Sequence, residues 1–128
     1  MSAPAAAPAS RRVNVRTPEV MERVQAEVET HYRSVIVEKI RAQGSVLTVG
    51  NTTVRLARDF GFCYGVERAI DLAYAARKVF AERKVYLLGE IIHNQEVNRQ
   101  LTEMGVVSIP TSEHESAIST LGSEDVVI

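Results

Sequence analysis

"KVYLLGEIIHNQEVNRQLTEMGVVSI", residues 84–109, predicts a strand, a helix and a second strand in that order. The apolar run "VYLL" ends at Gly89, and "VVSI" is a second short apolar run, closed by Pro110. Asn94 is a suitable N-cap for the helix between them, and Gly105 ends it. The apolar face of this helix consists of Val97, Leu101 and Met104. A helical crossover joins parallel neighbours, so we expect a β–α–β unit here.

The same alternation extends to both sides of this unit. A strand "TVRLA", residues 53–57, and a helix over 66–80 precede it. A helix through Leu121, opened by a Ser112–Glu115 capping box, and a strand "DVVI" follow it. This order predicts an α/β fold with a mostly parallel sheet and flanking helices.

The N-terminal part has a different pattern. Residues 1–16 begin with a low-complexity stretch of Ala, Pro and Ser, and we expect them to form a flexible tail. From Thr17 an apolar stripe predicts one long helix that ends at Gly44, followed by two short strands around the turn "GNT". We therefore divide the chain into the tail, an N-terminal helical extension with a short strand over 17–52, and an α/β domain over 53–128.

Composition excludes several classes of protein. The chain has 128 residues, a formal net charge of −1 and one cysteine. A near-neutral chain lacks the excess of Lys and Arg that non-specific nucleic-acid binding requires, so no nucleic-acid partner is predicted. No apolar run approaches the roughly 18–20 residues of a membrane span, and we expect no membrane association. The single cysteine and the lack of a secretory segment favour a cytoplasmic protein.

The only cysteine, Cys63, stands in the stretch "DFGFCYGVERAI", residues 59–70, between two glycines. The helical pattern beginning at Val66 places it near a helix N-terminus, where free N–H groups and the helix dipole stabilise a thiolate. Arg58 and Arg68 add positive charge nearby. A thiolate is a nucleophile and a soft ligand for iron or zinc. The alternative is a small buried apolar residue at a strand end.

His93 follows the strand "KVYLLG" and precedes the cap residue Asn94. An imidazole beside the free N–H groups of a helix start can bind an anion, and Glu90 is placed to orient the ring. The alternative is a histidine that only hydrogen-bonds a loop carbonyl. His31 and His114 are expected in solvent. Loops that leave parallel strands gather along one sheet edge, so we expect Cys63 and His93 to share that edge.

Two of these stretches together carry a family resemblance. "RDFGFCYGVERAIDLAYAA", residues 58–76, followed by "VYLLGEIIHNQEVNRQLTEMGV", residues 85–106, resembles the LytB-type 4-hydroxy-3-methylbut-2-enyl diphosphate reductases, the terminal enzymes of the non-mevalonate isoprenoid pathway. The resemblance covers residues 54–128, the first of three α/β domains in that family. The sequence "GEIIHN" is more similar to that of the longer plant and cyanobacterial members. The helix before residue 54 is lacking in the short members.

The resemblance implies a role for each candidate residue. Cys63 corresponds to the first of three thiolates that hold a [4Fe-4S] cluster, and His93 to a histidine that contacts the substrate diphosphate. The implied reaction removes the substrate hydroxyl as water with two electrons and two protons, giving isopentenyl or dimethylallyl diphosphate. Reduced ferredoxin or flavodoxin is the implied electron donor.

The other family residues have no counterpart in this sequence. The remaining cluster cysteines and the catalytic glutamate correspond to positions after Ile128, so we expect the chain to be an N-terminal portion that ends within its α/β domain. One alternative is a catalytically inactive N-terminal piece that binds no cluster by itself. Another is a thiol-dependent enzyme with Cys63 as its nucleophile.

Overall fold

The computed structural model describes residues 11–128 and contains five α-helices and five strands in that range. The helices are α1 (Pro18–Tyr32), α2 (Val35–Ala42), α3 (Tyr64–Val79), α4 (Gln95–Glu103) and α5 (His114–Thr120). The strands are β1 (Val46–Val49), β2 (Thr52–Arg55), β3 (Val85–Leu88), β4 (Val106–Ile109) and β5 (Val126–Val127). None of these helices is both long and apolar enough to cross a lipid bilayer.

A parallel sheet lies at the centre of the α/β part, with strand order β4-β3-β5. Val85 of β3 pairs with Val106 on one side and with Val126 on the other. The predicted β–α–β unit is therefore present as β3–α4–β4. The α/β fold with flanking helices is confirmed.

The strand "TVRLA" was predicted to begin the parallel series, and this is wrong. Its counterpart β2 pairs antiparallel with β1, with Val49 opposite Thr52, in a separate two-stranded sheet. Gly50 has φ +57° in the two-residue turn between them, which is the local geometry that closes a hairpin. All four residues of β2 are exposed, so no apolar face directs this strand into the main sheet.

The single long N-terminal helix is also wrong, because two helices occupy its range. Arg33 is extended, with ψ 131°, and the Ser34 hydroxyl accepts a hydrogen bond from the Val37 N–H to cap α2. Arg33 also forms a two-point ion pair with Glu38. Val35 stands at the start of α2 and is exposed. The cap and the ion pair stabilise a break that the apolar spacing did not reveal. Gly44, with φ +81°, ends α2 as predicted.

The capping box predicted before the last helix is absent. Thr111–Glu113 form a 3-10 turn, α5 begins at His114, and no side chain caps it. Pro110 is extended, with ψ 144°, and the turn starts directly after it. Ser112 therefore lies inside the turn and cannot serve as the cap residue.

One apolar core joins α1 to the α/β part. Val24 of α1 is fully buried, as are Ile70 and Tyr74 of α3. The same cluster continues through α4 and the sheet, with Val97, Leu101, Val85, Leu87 and Val106. Residues on both sides of the predicted boundary between 52 and 53 therefore share this core.

The predicted flexible tail lies partly outside the described residues, which begin at residue 11. Val15, within that predicted tail, is buried in the same core as α1. The Arg16 guanidinium lies 3.9 Å from the Asp71 carboxylate of α3. Burying an apolar side chain such as Val15 stabilises the packed position. The chain is therefore packed against the folded part before residue 17.

Candidate functional site

Cys63 is the N-cap residue of α3. Its backbone is extended, with φ −71° and ψ 160°, and its carbonyl accepts from the Glu67 N–H at 3.0 Å. Its thiol makes no capping hydrogen bond and is exposed. The predicted position at a helix N-terminus is confirmed, and the alternative of a buried apolar cysteine is wrong. The sulfur is accessible to a soft metal ion or an alkylating reagent.

The two arginines predicted to add positive charge have partners of their own. Arg58 pairs with the neighbouring Asp59 at 3.1 Å, and both side chains are almost fully exposed. Arg68 donates to the Tyr64 hydroxyl at 2.9 Å, with its Cζ 5.4 Å from the centre of that ring. The Arg58 charge is thus offset by Asp59. The helix terminus remains as a positive feature beside Cys63, and Glu67 adds a negative charge to the first turn of α3.

His93 lies in the loop between β3 and α4, with its side chain 98% exposed. Its Nδ1 is 2.8 Å from Oε2 of Glu90. A carboxylate only accepts, so Nδ1 carries the proton and Nε2 points away from this partner. The prediction that Glu90 orients the ring is confirmed. The alternative, a hydrogen bond to a loop carbonyl, is wrong.

Fewer backbone N–H groups are free at the start of α4 than the anion-site prediction requires. The Asn94 side chain accepts from the Glu96 N–H at 3.0 Å and from the Val97 N–H at 3.1 Å. Asn94 is therefore the N-cap, as predicted. An anion at this loop would depend mainly on the His93 ring, since two of the terminal donors already have a partner.

Cys63 and His93 reach their positions from different sheets. Cys63 follows the β1–β2 hairpin, whereas His93 follows β3 of the parallel sheet. The sheet-edge reasoning that placed them together therefore fails for Cys63. Within residues 11–128 no hydrogen bond or ion pair joins the two side chains. In the same range no three His, Cys, Asp or Glu side chains form a group that could hold a metal ion.

The two histidines expected in solvent have structural partners instead. His31 of α1 places Nδ1 2.8 Å from the buried Tyr74 hydroxyl and Nε2 3.4 Å from the Gln100 amide of α4. His114 donates from Nε2 to the Ile109 carbonyl at 3.2 Å. The sequence did carry a signal for His31, since it lies seven residues after Val24, on the same helical stripe.

Burial raises the pKa of the Tyr74 hydroxyl, which therefore stays protonated and can donate to His31. His31, Tyr74 and Gln100 form a polar connection between α1, α3 and α4 inside an otherwise apolar region. This connection is structural, because it lies on neither of the loops that carry Cys63 and His93.

Several known proteins are similar to this chain in sequence. The family model described as LytB protein matches residues 54–128. A Nostoc protein (strain PCC 7120) is 41% identical over 105 residues, and proteins of Synechococcus strains RCC307 and WH7803 are 42% and 44% identical over 119 and 107 residues. Each is named 4-hydroxy-3-methylbut-2-enyl diphosphate reductase.

These matches cover 82%, 93% and 84% of this chain but only 26%, 29% and 27% of the relatives. The chain thus spans about a quarter of the length of the curated relatives it matches. Every one of the three matches is longer than the segment 54–128, so the likeness extends into the N-terminal helical region. No solved structure matches.

Proposed function

The chain belongs to the LytB family, and on that premise we propose that it is a segment of a 4-hydroxy-3-methylbut-2-enyl diphosphate reductase. In this proposal Cys63 supplies one thiolate ligand of an iron–sulfur cluster and His93 contacts the diphosphate of the substrate. The observation that carries the proposal is the exposed Cys63 thiol, which has no hydrogen-bond partner at the α3 cap. A helix N-terminus favours the thiolate form that a metal needs.

The proposed reaction is the reductive removal of the substrate hydroxyl. The C–O bond breaks, the oxygen leaves as water, and two electrons with two protons give isopentenyl or dimethylallyl diphosphate. A bound [4Fe-4S] cluster would supply the electron chemistry, with reduced ferredoxin or flavodoxin as the source. The residues of this chain would bind and orient: Cys63 at the metal, His93 at the phosphate.

Cys63 fits one ligand position of such a cluster and no more. Four-iron clusters are held by several cysteine thiolates, and this sequence has a single cysteine. The described residues offer no other group of metal ligands beside it. We therefore propose that the remaining ligands come from polypeptide outside these 128 residues.

His93 suits a phosphate contact only in a particular protonation state. Glu90 holds Nδ1–H, so the free Nε2 of a neutral ring would present a lone pair to the anion. Protonated imidazolium instead donates from both nitrogens, one to Glu90 and one to the phosphate. In this proposal the diphosphate binds the charged ring.

A chimaera tests the proposal directly. The 128 residues replace the matching segment of the Synechococcus RCC307 reductase, and turnover of 4-hydroxy-3-methylbut-2-enyl diphosphate is measured without oxygen. We expect turnover, its loss in Cys63→Ser, and a raised KM in His93→Ala. The neighbouring changes Tyr64→Phe and Gln95→Ala are the matched controls and should keep activity.

The second candidate is a catalytically inactive N-terminal piece of such a reductase that binds no cluster by itself. The observation that supports it is the single cysteine of the chain, because a four-iron cluster needs several thiolates. In that case the 128-residue chain alone would hold no iron after anaerobic reconstitution, whatever the turnover of the chimaera. Rapid alkylation of Cys63 without any need for iron would point to a thiol enzyme, yet no histidine hydrogen-bonds its sulfur within residues 11–128.

A further inference from the structure

Two aromatic side chains in the loop that leads into Cys63 contact different N-terminal helices. Phe62 meets the ring of Tyr32, the last residue of α1, edge to face, with centroids 5.5 Å apart and an interplanar angle of 86°. Phe60 lies under the guanidinium of Arg41 in α2, whose Cζ is 4.6 Å from the ring centre. Both kinds of contact have a preferred geometry, because the ring quadrupole attracts positive edges and cations to its face.

Apart from the packing of Phe62 against the core, the backbone of the loop, residues 57–62, is held by no hydrogen bonds among the described residues. The bonds on either side are those of Leu56 N–H to the Ser45 carbonyl and of Glu67 N–H to the Cys63 carbonyl. The ion pair within the loop joins two exposed neighbours, and such pairs contribute little to order.

Open space lies beside the loop. A groove of about 590 Å³ is lined by the loop residues 60–62 and by α1 and α2, including Tyr32 and Arg41. Gly61 has φ +133°, a conformation that favours glycine, and a Cβ at this position would meet no atom within 4 Å. The loop is therefore open on one side. Phe62 is packed against the apolar core, and the two aromatic contacts join the loop to α1 and α2.

Helix α1, whose Tyr32 contacts Phe62, is itself packed into the core. Val24 of α1 is fully buried against α3, in the cluster that includes Ile70. The Tyr32 hydroxyl is buried and has no hydrogen-bond partner among the described residues, so its contact with Phe62 depends on the ring alone. A ring on an anchored helix can define the position of a loop that has no backbone bonds.

We propose that the N-terminal helical pair positions the Cys63 loop, with Tyr32 as the positioning residue that acts through Phe62 and Arg41 as a second one that acts through Phe60. α3 holds Cys63 as its cap residue, and α1 and α2 hold the loop that precedes Cys63. The purpose of this positioning, which is to direct the Cys63 sulfur toward a metal, rests on the proposed function. The positioning of the loop is independent of that function.

Backbone ¹⁵N relaxation of the 128-residue chain tests this inference. In the unaltered chain, order parameters of residues 60–62 should be near those of rigid backbone, about 0.85, and in Tyr32→Ala they should fall below about 0.6. Tyr32→Phe should retain the order, because it keeps the ring. Arg41→Met should loosen Phe60 more than Phe62.

Two further variants separate this effect from general loosening. Val97→Ala removes core volume in α4 without changing either aromatic pair, and should leave residues 60–62 ordered. If Tyr32→Ala unfolds the chain, Phe62→Leu removes the same aromatic contact from the loop side and should give the same local loss. Unchanged order in the folded aromatic-contact variants, or equal loosening in Val97→Ala, would overturn the inference. The measurement needs no iron, so it can fail or succeed independently of the cluster proposal.

Discussion

At the scale of single residues, the contact with Glu90 fixes the orientation of the His93 ring. Glu90 fixes the ring by accepting from Nδ1 at 2.8 Å, and the rest of the imidazole is open to solvent. Such a ring is oriented before any ligand arrives, which reduces the ordering cost of binding. The sequence was sufficient to predict this pair, because Glu90 and His93 lie three residues apart in the loop just after a strand.

We predict that inorganic pyrophosphate shifts the NMR resonances of the His93 ring. Glu90→Ala should weaken binding about twofold to fivefold, since an exposed orienting pair is worth little more than that. His93→Ala should remove most of the binding. Binding that is unchanged by either substitution would rule out a phosphate contact at this residue.

At the scale of elements, one side chain, Arg77, hydrogen-bonds three carbonyls of the connection from α3 to β3. Arg77 donates to the carbonyls of Phe80, Ala81 and Arg83, at 3.3, 2.9 and 2.8 Å. These carbonyls belong to the last residues after α3, where orphan acceptors gather and a cation is favourable. The guanidinium therefore caps the helix and shapes the turn into the central strand.

We expect Arg77→Met to lower the free energy of unfolding by about 1–3 kcal/mol, because three carbonyls lose a charged donor. Arg77→Lys should recover only part of this, since an ammonium lacks the planar fork. Arg83→Met is the control: its ion pair with Glu124 is solvent-exposed and its Cζ lies 5.7 Å from the Phe80 ring centre, so its loss should matter by less than about 1 kcal/mol. Urea titration measures all three. Equal losses for Arg77→Met and Arg83→Met would contradict the capping role.

Element types were predictable from the sequence, but their partners and ends were less so. The helical spacing of apolar residues located α3 and α4, and short apolar runs located β3 and β4, because all four contain buried apolar side chains. The hairpin was missed as a separate sheet because β2 has no buried face, and the local turn at Gly50 alone determines its partner. The predicted N-terminal helix breaks where the Ser34 hydroxyl caps α2. This local hydrogen bond is not visible in the spacing of the apolar residues.

At the scale of the whole molecule, α1 and the α/β part share one apolar core. Tyr74 lies where they meet: it is fully buried in α3 and hydrogen-bonds His31 of α1, which in turn contacts Gln100 of α4. The sequence could not reveal this connection, because its three members are distant in the chain and each is common on helix surfaces. Long-range polar contacts leave no periodic pattern.

This connection predicts a pH dependence of stability. The Tyr74 pKa is raised in the folded chain, mainly by burial, so the folded state resists ionisation more than the unfolded state does. The stability contribution is complete below the unfolded pKa, about 10, and is lost as pH rises above it. We expect the free energy of unfolding to fall above about pH 10, and to fall less steeply in Tyr74→Phe. The same slope in both would contradict the assignment.

The measurement that tests the central claim most directly is the iron and sulfide content of the chimaera, purified without oxygen, with and without Cys63→Ala. If Cys63 is a cluster ligand, the parent should hold about four iron and four sulfide ions per chain, and the variant should lose most of both while keeping its circular dichroism spectrum. Iron and sulfide contents that are the same in parent and variant would contradict the claim.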